Sequence, residues 1–111
     1  MPHQEFVDAV LDVVARIPEG RVMTYGDVGT AIGSEAPRAV GRVMALYGHA
    51  SPWWRVVPSS GKPPQGHESI ALPHYLTEGT PLRRSDSSDY RIALSSARLP
   101  YTHEIYSEVA L

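Results

Sequence analysis

With 111 residues, 42% of them hydrophobic and 20% charged, the chain is sized for one domain around one core. It has no cysteine, which excludes disulfides, thiolate metal sites and a cysteine nucleophile. The formal net charge of -2 is unevenly spread: residues 1–20 carry -3, residues 21–66 carry +3 and residues 67–111 carry -2. A basic middle of this kind can leave a modest footprint on a phosphate backbone, although many solvated surfaces share it. No apolar run approaches membrane-spanning length. The start lacks the basic-then-apolar order of a signal peptide, so a cytoplasmic protein is expected, associated with the nucleoid if it binds DNA.

Phe6, Val10, Val13 and Ile17 recur at spacings of three and four, which predicts an amphipathic helix over 4–17. Pro18-Glu19-Gly20 marks a turn. Thr24 with Asp27 three residues on makes a capping box, opening a short helix over roughly 25–32 that stops at Gly33. Ser34 is the next N-cap candidate, for a helix over roughly 35–47 that tolerates Pro37 in its first turn and turns Val40, Val43, Met44 and Tyr47 to an apolar side. Two short helices around Gly33 form a helix-turn-helix candidate, which can equally be a packed helix pair with no DNA role. Ala36, Ala39 and Gly41 would let the second helix come close to a groove.

Trp53–Val57 reads as a short strand and 58–66 as a loop. A helix near 69–78 is expected, broken or restarted at Pro73 and ended by Gly79. Two short strands should flank the polar turn at 85–89, and the segment from Tyr101 onward is expected to pack poorly. Trp53 and Trp54 are the only tryptophans. On a strand one would face the core and the other a pocket or partner.

The five histidines, His3, His49, His67, His74 and His103, lack zinc-ligand spacing and read as surface or loop residues. Ser59 and Ser60 sit outside any nucleophile-elbow pattern. No cofactor, metal or catalytic residue is expected.

Four separated stretches remain: Thr24-Tyr25-Gly26, Arg38-Ala39-Val40-Gly41, Pro52-Trp53-Trp54-Arg55-Val56-Val57 with Gly61, and Glu78-Gly79. In order and approximate spacing they resemble the DNA-binding domain of the O6-alkylguanine-DNA alkyltransferases, and above all its non-enzymatic, alkyltransferase-like branch. The resemblance covers about residues 4–79. It implies an α+β domain with a winged-helix-like helix-turn-helix core that binds O6-alkylguanine in duplex DNA, docks its second helix in the minor groove and flips the damaged nucleotide. In the enzymes a Pro-Cys-His-Arg-Val motif supplies the alkyl-accepting Cys and a His base oriented by a Glu. Carried over, these positions are Trp53, Trp54 and Glu78. An indole offers neither nucleophile nor basic lone pair, so alkyl transfer is not expected. The alkyltransferase-like branch usually keeps Pro-Trp-His-Arg, so Trp54 departs from it too.

By the same resemblance Arg38 is the finger that fills the gap left by the flipped nucleotide, and Tyr25 crowds a phosphate. Ala39, Gly41 and Arg42 complete the DNA-binding set. Pro52, Trp53, Trp54, Arg55, Lys62 and Glu78 form the lesion pocket, with Trp53 either receiving the alkylated base or filling the space. Lys62 and His67 are the only loop residues placed to cover a flipped base, where some relatives use an Arg. The enzymes' Asn is missing altogether. The implied partners are alkylated duplex DNA and nucleotide excision repair proteins, with the chain a monomer. The alternative is a helix-turn-helix regulator without a lesion pocket.

Overall fold

The apolar residues that recur after His3 wind into α1 (His3–Arg16) and bury Val7, Val10, Val13 and Val14. The structure, a computed structural model, describes residues 3–84 and 89–108. The capping box forms as expected: the Asp27 amide donates to Thr24 Oγ1 at 3.0 Å and the Thr24 amide to Asp27 Oδ2 at 3.1 Å, opening α2 (Tyr25–Ala31). Gly33, at φ +76°, turns the chain out of α2. Gly29 lets the turn close tightly, since a Cβ there would stand 2.9 Å from the Ser34 carbonyl oxygen.

Helix α3 (Pro37–Tyr47) starts later than the spacing predicts, and Ser34 is not its cap. Ser34 Oγ accepts the Ala36 amide in a local turn instead. The proline ring disfavours helical backbone at Ala36, whereas Pro37 itself has helical φ and lacks only an amide that would go unpaired anyway. Val40 and Val43 are buried, but Tyr47 lies largely outside the core.

The tryptophans do not lie on a strand. Trp53–Arg55 form a 3-10 turn closed by the Arg55 amide on the Pro52 carbonyl at 3.0 Å, and only Val56–Val57 are extended, as β2. β1 (Met23–Thr24) pairs with β2 in parallel, Met23 opposite Val56 and Thr24 opposite Val57. Because side chains alternate along a strand, this small pair serves two cores. Met23 and Val56 join the core under α1, α2 and α3. Val22 and Val57 join a second core with Ala71, Tyr75, Tyr90, Ile92 and Ala97.

Helix α4 (Glu68–Glu78) runs through Pro73 without a break and ends at Gly79 in the left-handed conformation. Pro73 is exposed, while Ala71 and Tyr75 on the opposite face are fully buried. Their packing outweighs the backbone hydrogen bond that the proline removes. The antiparallel pair β3 (Leu82–Arg84) and β4 (Tyr90–Ile92) then forms as predicted. Of the polar turn expected at 85–89, residues 85–88 lie outside the described residues. No helix among the described residues is long and apolar enough to cross a membrane.

After α5 (Leu94–Ala97), the stretch from Tyr101, expected to pack poorly, is held at Tyr101 and Ile105, while residues 109–111 lie outside the described residues. Leu99 is buried, and so is Ile105 of α6 (Ile105–Glu108); both enter the first core. The anchor is Asp27. Its side chain is 2% exposed and accepts hydrogen bonds from Arg98 Nε at 2.8 Å, Arg98 Nη2 at 2.7 Å and the Tyr101 hydroxyl at 2.7 Å, besides the Thr24 amide. Burial opposes ionisation of Asp27, but these donors more than offset it and hold the carboxyl below its ordinary value. One residue thus caps α2 and clamps the C-terminal segment onto it. Arg98→Met should cost about 2 kcal/mol, less than a fully buried pair because Arg98 is 41% exposed. The loss would read as a lower urea midpoint with an unchanged slope.

Candidate nucleic-acid interface

Three residues near the end of α4, His74, Tyr75 and Glu78, fix the position of Trp54. The Tyr75 hydroxyl donates to the Trp54 carbonyl at 2.6 Å. The His74 ring stacks on the indole, with centroids 3.7 Å apart and planes 9° from parallel. Glu78 Oε2 accepts the indole Nε1–H at 2.9 Å. His74 is therefore no surface or loop residue. Its role is visible only once 74, 75 and 78 are seen on one helix, since positions three and four apart share a face.

Glu78 also takes Arg55 in a fork, from Nε at 3.1 Å and Nη2 at 2.7 Å, and the Gly20 amide at 3.3 Å. Arg55 Nη1 reaches on to the Ile17 carbonyl at 2.8 Å, past the end of α1. The two side chains are only 12% and 8% exposed. Burial raises the Glu78 carboxyl, but the hydrogen bonds from Arg55, Trp54 and Gly20 outweigh it and leave the group below its ordinary value. Arg55 and Glu78 thus brace the site from beneath.

Trp53 stands at right angles to this assembly. Its ring meets Trp54 edge to face at 5.6 Å and 86°, and lies 6.0 Å from His74 and 5.5 Å from His67. Trp53 is half-buried and His67 exposed, so an indole edged by imidazoles opens toward solvent. Lys62 is elsewhere. It lines a surface cavity of about 520 Å³ with Ser60, Gln65, Glu68, Tyr90 and Arg91, and neither tryptophan borders that space.

Helix α3 presents Arg38 and Arg42 four residues apart on its exposed face. The helix has no acidic residue, and neither arginine makes an ion pair with a described residue. Ala39 and Gly41 are half-buried. Gly41 lies beside Tyr25, whose Cδ1 would be 4.0 Å from a Cβ added there. Tyr25, the first residue of α2, packs against the first core, and burial raises its hydroxyl pKa. Tyr25, Arg38, Ala39, Gly41 and Arg42 thus belong to the helix-turn-helix unit, whereas Pro52, Trp53, Trp54, Arg55 and Glu78 gather at the turn before β2 and the end of α4. Among the described residues no group of His, Asp or Glu side chains is arranged to hold a metal.

A family model described as the DNA-binding domain of 6-O-methylguanine DNA methyltransferase matches residues 5–79. The chain belongs to this family. It is 48% identical over 59 residues to a DNA base-flipping protein of Escherichia coli (strain K12), covering 50% of this chain and 46% of that one. Identity to a DNA base-flipping protein of Vibrio parahaemolyticus is 34% over 61 residues, 52% and 61% of the two chains. The chain spans about half the length of the curated relatives it matches. In three dimensions it is similar to S. pombe Atl1 in complex with damaged DNA containing O6-carboxymethylguanine, with a TM-score of 0.78 and 27% identity over 90% of this chain and 99% of that one. A second structure, S. pombe ATL in complex with DNA, gives a TM-score of 0.77 with the same identity and coverage.

The methyltransferase DNA-binding fold bears out the expected α+β helix-turn-helix class. The resemblance puts the family's histidine at Trp54 and its glutamate at Glu78, and in this structure those two side chains are joined by the indole N–H hydrogen bond.

Because the folded-state pKa of Glu78 is lowered, its contribution to stability is full above the ordinary carboxylate range and drains away as pH falls below about 5. Glu78→Gln should be less stable than the native chain at pH 7. The two unfolding curves should converge as acidification, below the ordinary carboxylate range, protonates Glu78 in the folded chain.

Proposed function

We propose that the chain binds O6-alkylguanine in duplex DNA, rotates the damaged nucleotide out of the stack and holds it without taking the alkyl group. The observation that carries this reading is the Trp54–Glu78 hydrogen bond at 2.9 Å beside an accessible Trp53. The bracing of a transfer site is kept, while its reactive atoms are replaced by indoles. An indole N–H donates but cannot accept a proton, so Trp54 keeps the orienting half of a histidine's work and loses the basic half. Family membership and the likeness to Atl1 bound to damaged DNA support the same reading.

Trp54 is then a fixed wall, pinned on its carbonyl, its face and its N–H. Trp53 is the ring that meets the alkylated base. Flipping costs a few kcal/mol and least at a damaged pair, and stacking on an aromatic ring returns ~1–3 kcal/mol per base. His67, set against Trp53, is better placed than Lys62 to cover the base. Arg38 enters the stack, where its planar guanidinium can lie between bases and donate to the orphaned partner. Arg42 takes a phosphate on the same face of α3, Ala39 and Gly41 let that helix approach closely, and Tyr25 crowds the rotating backbone. The complex would form from a monomer in the cytoplasm, on the nucleoid, and mark the lesion for nucleotide excision repair proteins.

Matched duplexes with and without one O6-methylguanine test this at ~150 mM salt, where non-specific phosphate contacts are screened. Lesion DNA should bind more tightly, and equal affinity would sink the reading. Arg38→Ala should weaken lesion binding at least tenfold with an unchanged melting temperature. Intact mass after incubation with alkylated oligonucleotide should show no alkyl gain, for the native chain and for Trp53→Cys alike, because Trp54 still supplies no base.

A further inference from the structure

The β3–β4 hairpin places like charges where its own packing gains nothing from them. Arg83 and Arg91 are register partners on the antiparallel pair. Side chains directly opposite one another stand about 5 Å apart at Cβ, and like charges there destabilise a sheet. Tyr90 and Ile92 point into the second core and Leu82 packs against it, while Arg83 and Arg91 are exposed. A polar uncharged residue at either position would satisfy the fold equally well. The hairpin is also tied to the loop before α4 and to the start of that helix: Arg91 Nη1 donates to the Ser60 carbonyl at 3.4 Å, and the Tyr90 hydroxyl to the Glu68 carbonyl at 2.6 Å. Lys62, itself exposed, lines the same cavity as Arg91. That loop ends at His67, whose ring is against Trp53.

We infer that the outer face of this hairpin, Arg83 and Arg91 with Lys62 beside them, is a second phosphate-binding surface that holds the DNA backbone next to the site at Trp53. The cavity itself is not the anion site. Glu68 and Asp89 also line it, and Glu68, held below its ordinary pKa by backbone amides, is ionised. These carboxylates disfavour a phosphate inside the cavity, whereas exposed Arg83, the register partner of Arg91, does not line it and carries the pair's charge outside. The repulsion between the arginines is relieved when an anion lies across them. This rests on the duplex binding proposed above and adds a contact outside the helix-turn-helix unit.

The test is binding of the full chain to duplexes with and without one O6-methylguanine, followed by anisotropy between 50 and 200 mM salt. Each phosphate contact contributes a slope of about 0.9 in log affinity against log salt. Arg83→Ala combined with Arg91→Ala should make the slope shallower by about two on both duplexes and leave their affinity ratio unchanged. Arg83→Glu places an opposite charge across from Arg91. It should bind DNA at least tenfold more weakly while melting no lower than the native chain, which separates a binding role from a structural one. An unchanged slope in the double variant, or native affinity in Arg83→Glu, overturns the inference. If the slope falls while the native chain shows no lesion preference, the hairpin surface stands and the lesion reading fails. If the preference holds and the slope does not move, the hairpin inference fails alone.

Discussion

Everything around the tryptophans hangs on one carboxylate. Glu78 stands at the end of α4 and receives Trp54, Arg55 and the Gly20 amide together. Through Arg55 the same network reaches the Ile17 carbonyl past α1. A buried carboxylate is costly unless its oxygens are filled with donors. Here the donors come from two separate parts of the chain, Gly20 and the Trp54–Arg55 turn, so satisfying the charge also fixes the geometry. Remove the carboxylate and Arg55 is left as a buried cation, while the indole loses the partner that fixes its tilt.

This arrangement explains how a tryptophan can stand where the family resemblance puts a histidine. The donor geometry needed by Glu78 is met by an indole N–H as well as by an imidazole N–H. What the indole adds is area, and His74 covers it in a parallel stack. An indole offers no basic lone pair, so under the proposed reading the bracing of the site is separable from its chemistry.

The parts legible in the sequence are those set by neighbours along the chain. The α1 stripe, the Thr24–Asp27 box, the Gly33 turn and the β3–β4 pair depend on residues a few positions apart. The parts that escaped are set at a distance. Trp53–Arg55 look like a strand because they are aromatic and precede two valines. They coil into a turn whose Arg55 is captured by Glu78, 23 residues further on. The C-terminal segment looks loose until Asp27 is seen to hold Arg98 across 71 residues. His74 was hidden behind Pro73, which signals a break that the burial of Ala71 and Tyr75 overrides. Within the candidate site, the four motifs and their order were readable. Lys62 pointing to another cavity and His67 lying against Trp53 were not, because the path of a proline-rich loop follows from what it packs on.

The two-residue parallel pair between β1 and β2 has a mechanical consequence. Met23 and Val56 are rooted in the core under the helix-turn-helix, and Val22 and Val57 in the core under α4. Turning one unit against the other would pull fully buried side chains out of both cores at once, against tightly packed surroundings. The face that carries Arg38 and the ring of Trp53 are therefore held at a fixed spacing, like the two jaws of a gauge. In the proposed complex a duplex that engaged both would have to conform to that spacing, so the work of deformation would fall on the DNA, and a base pair already weakened by alkylation would yield first.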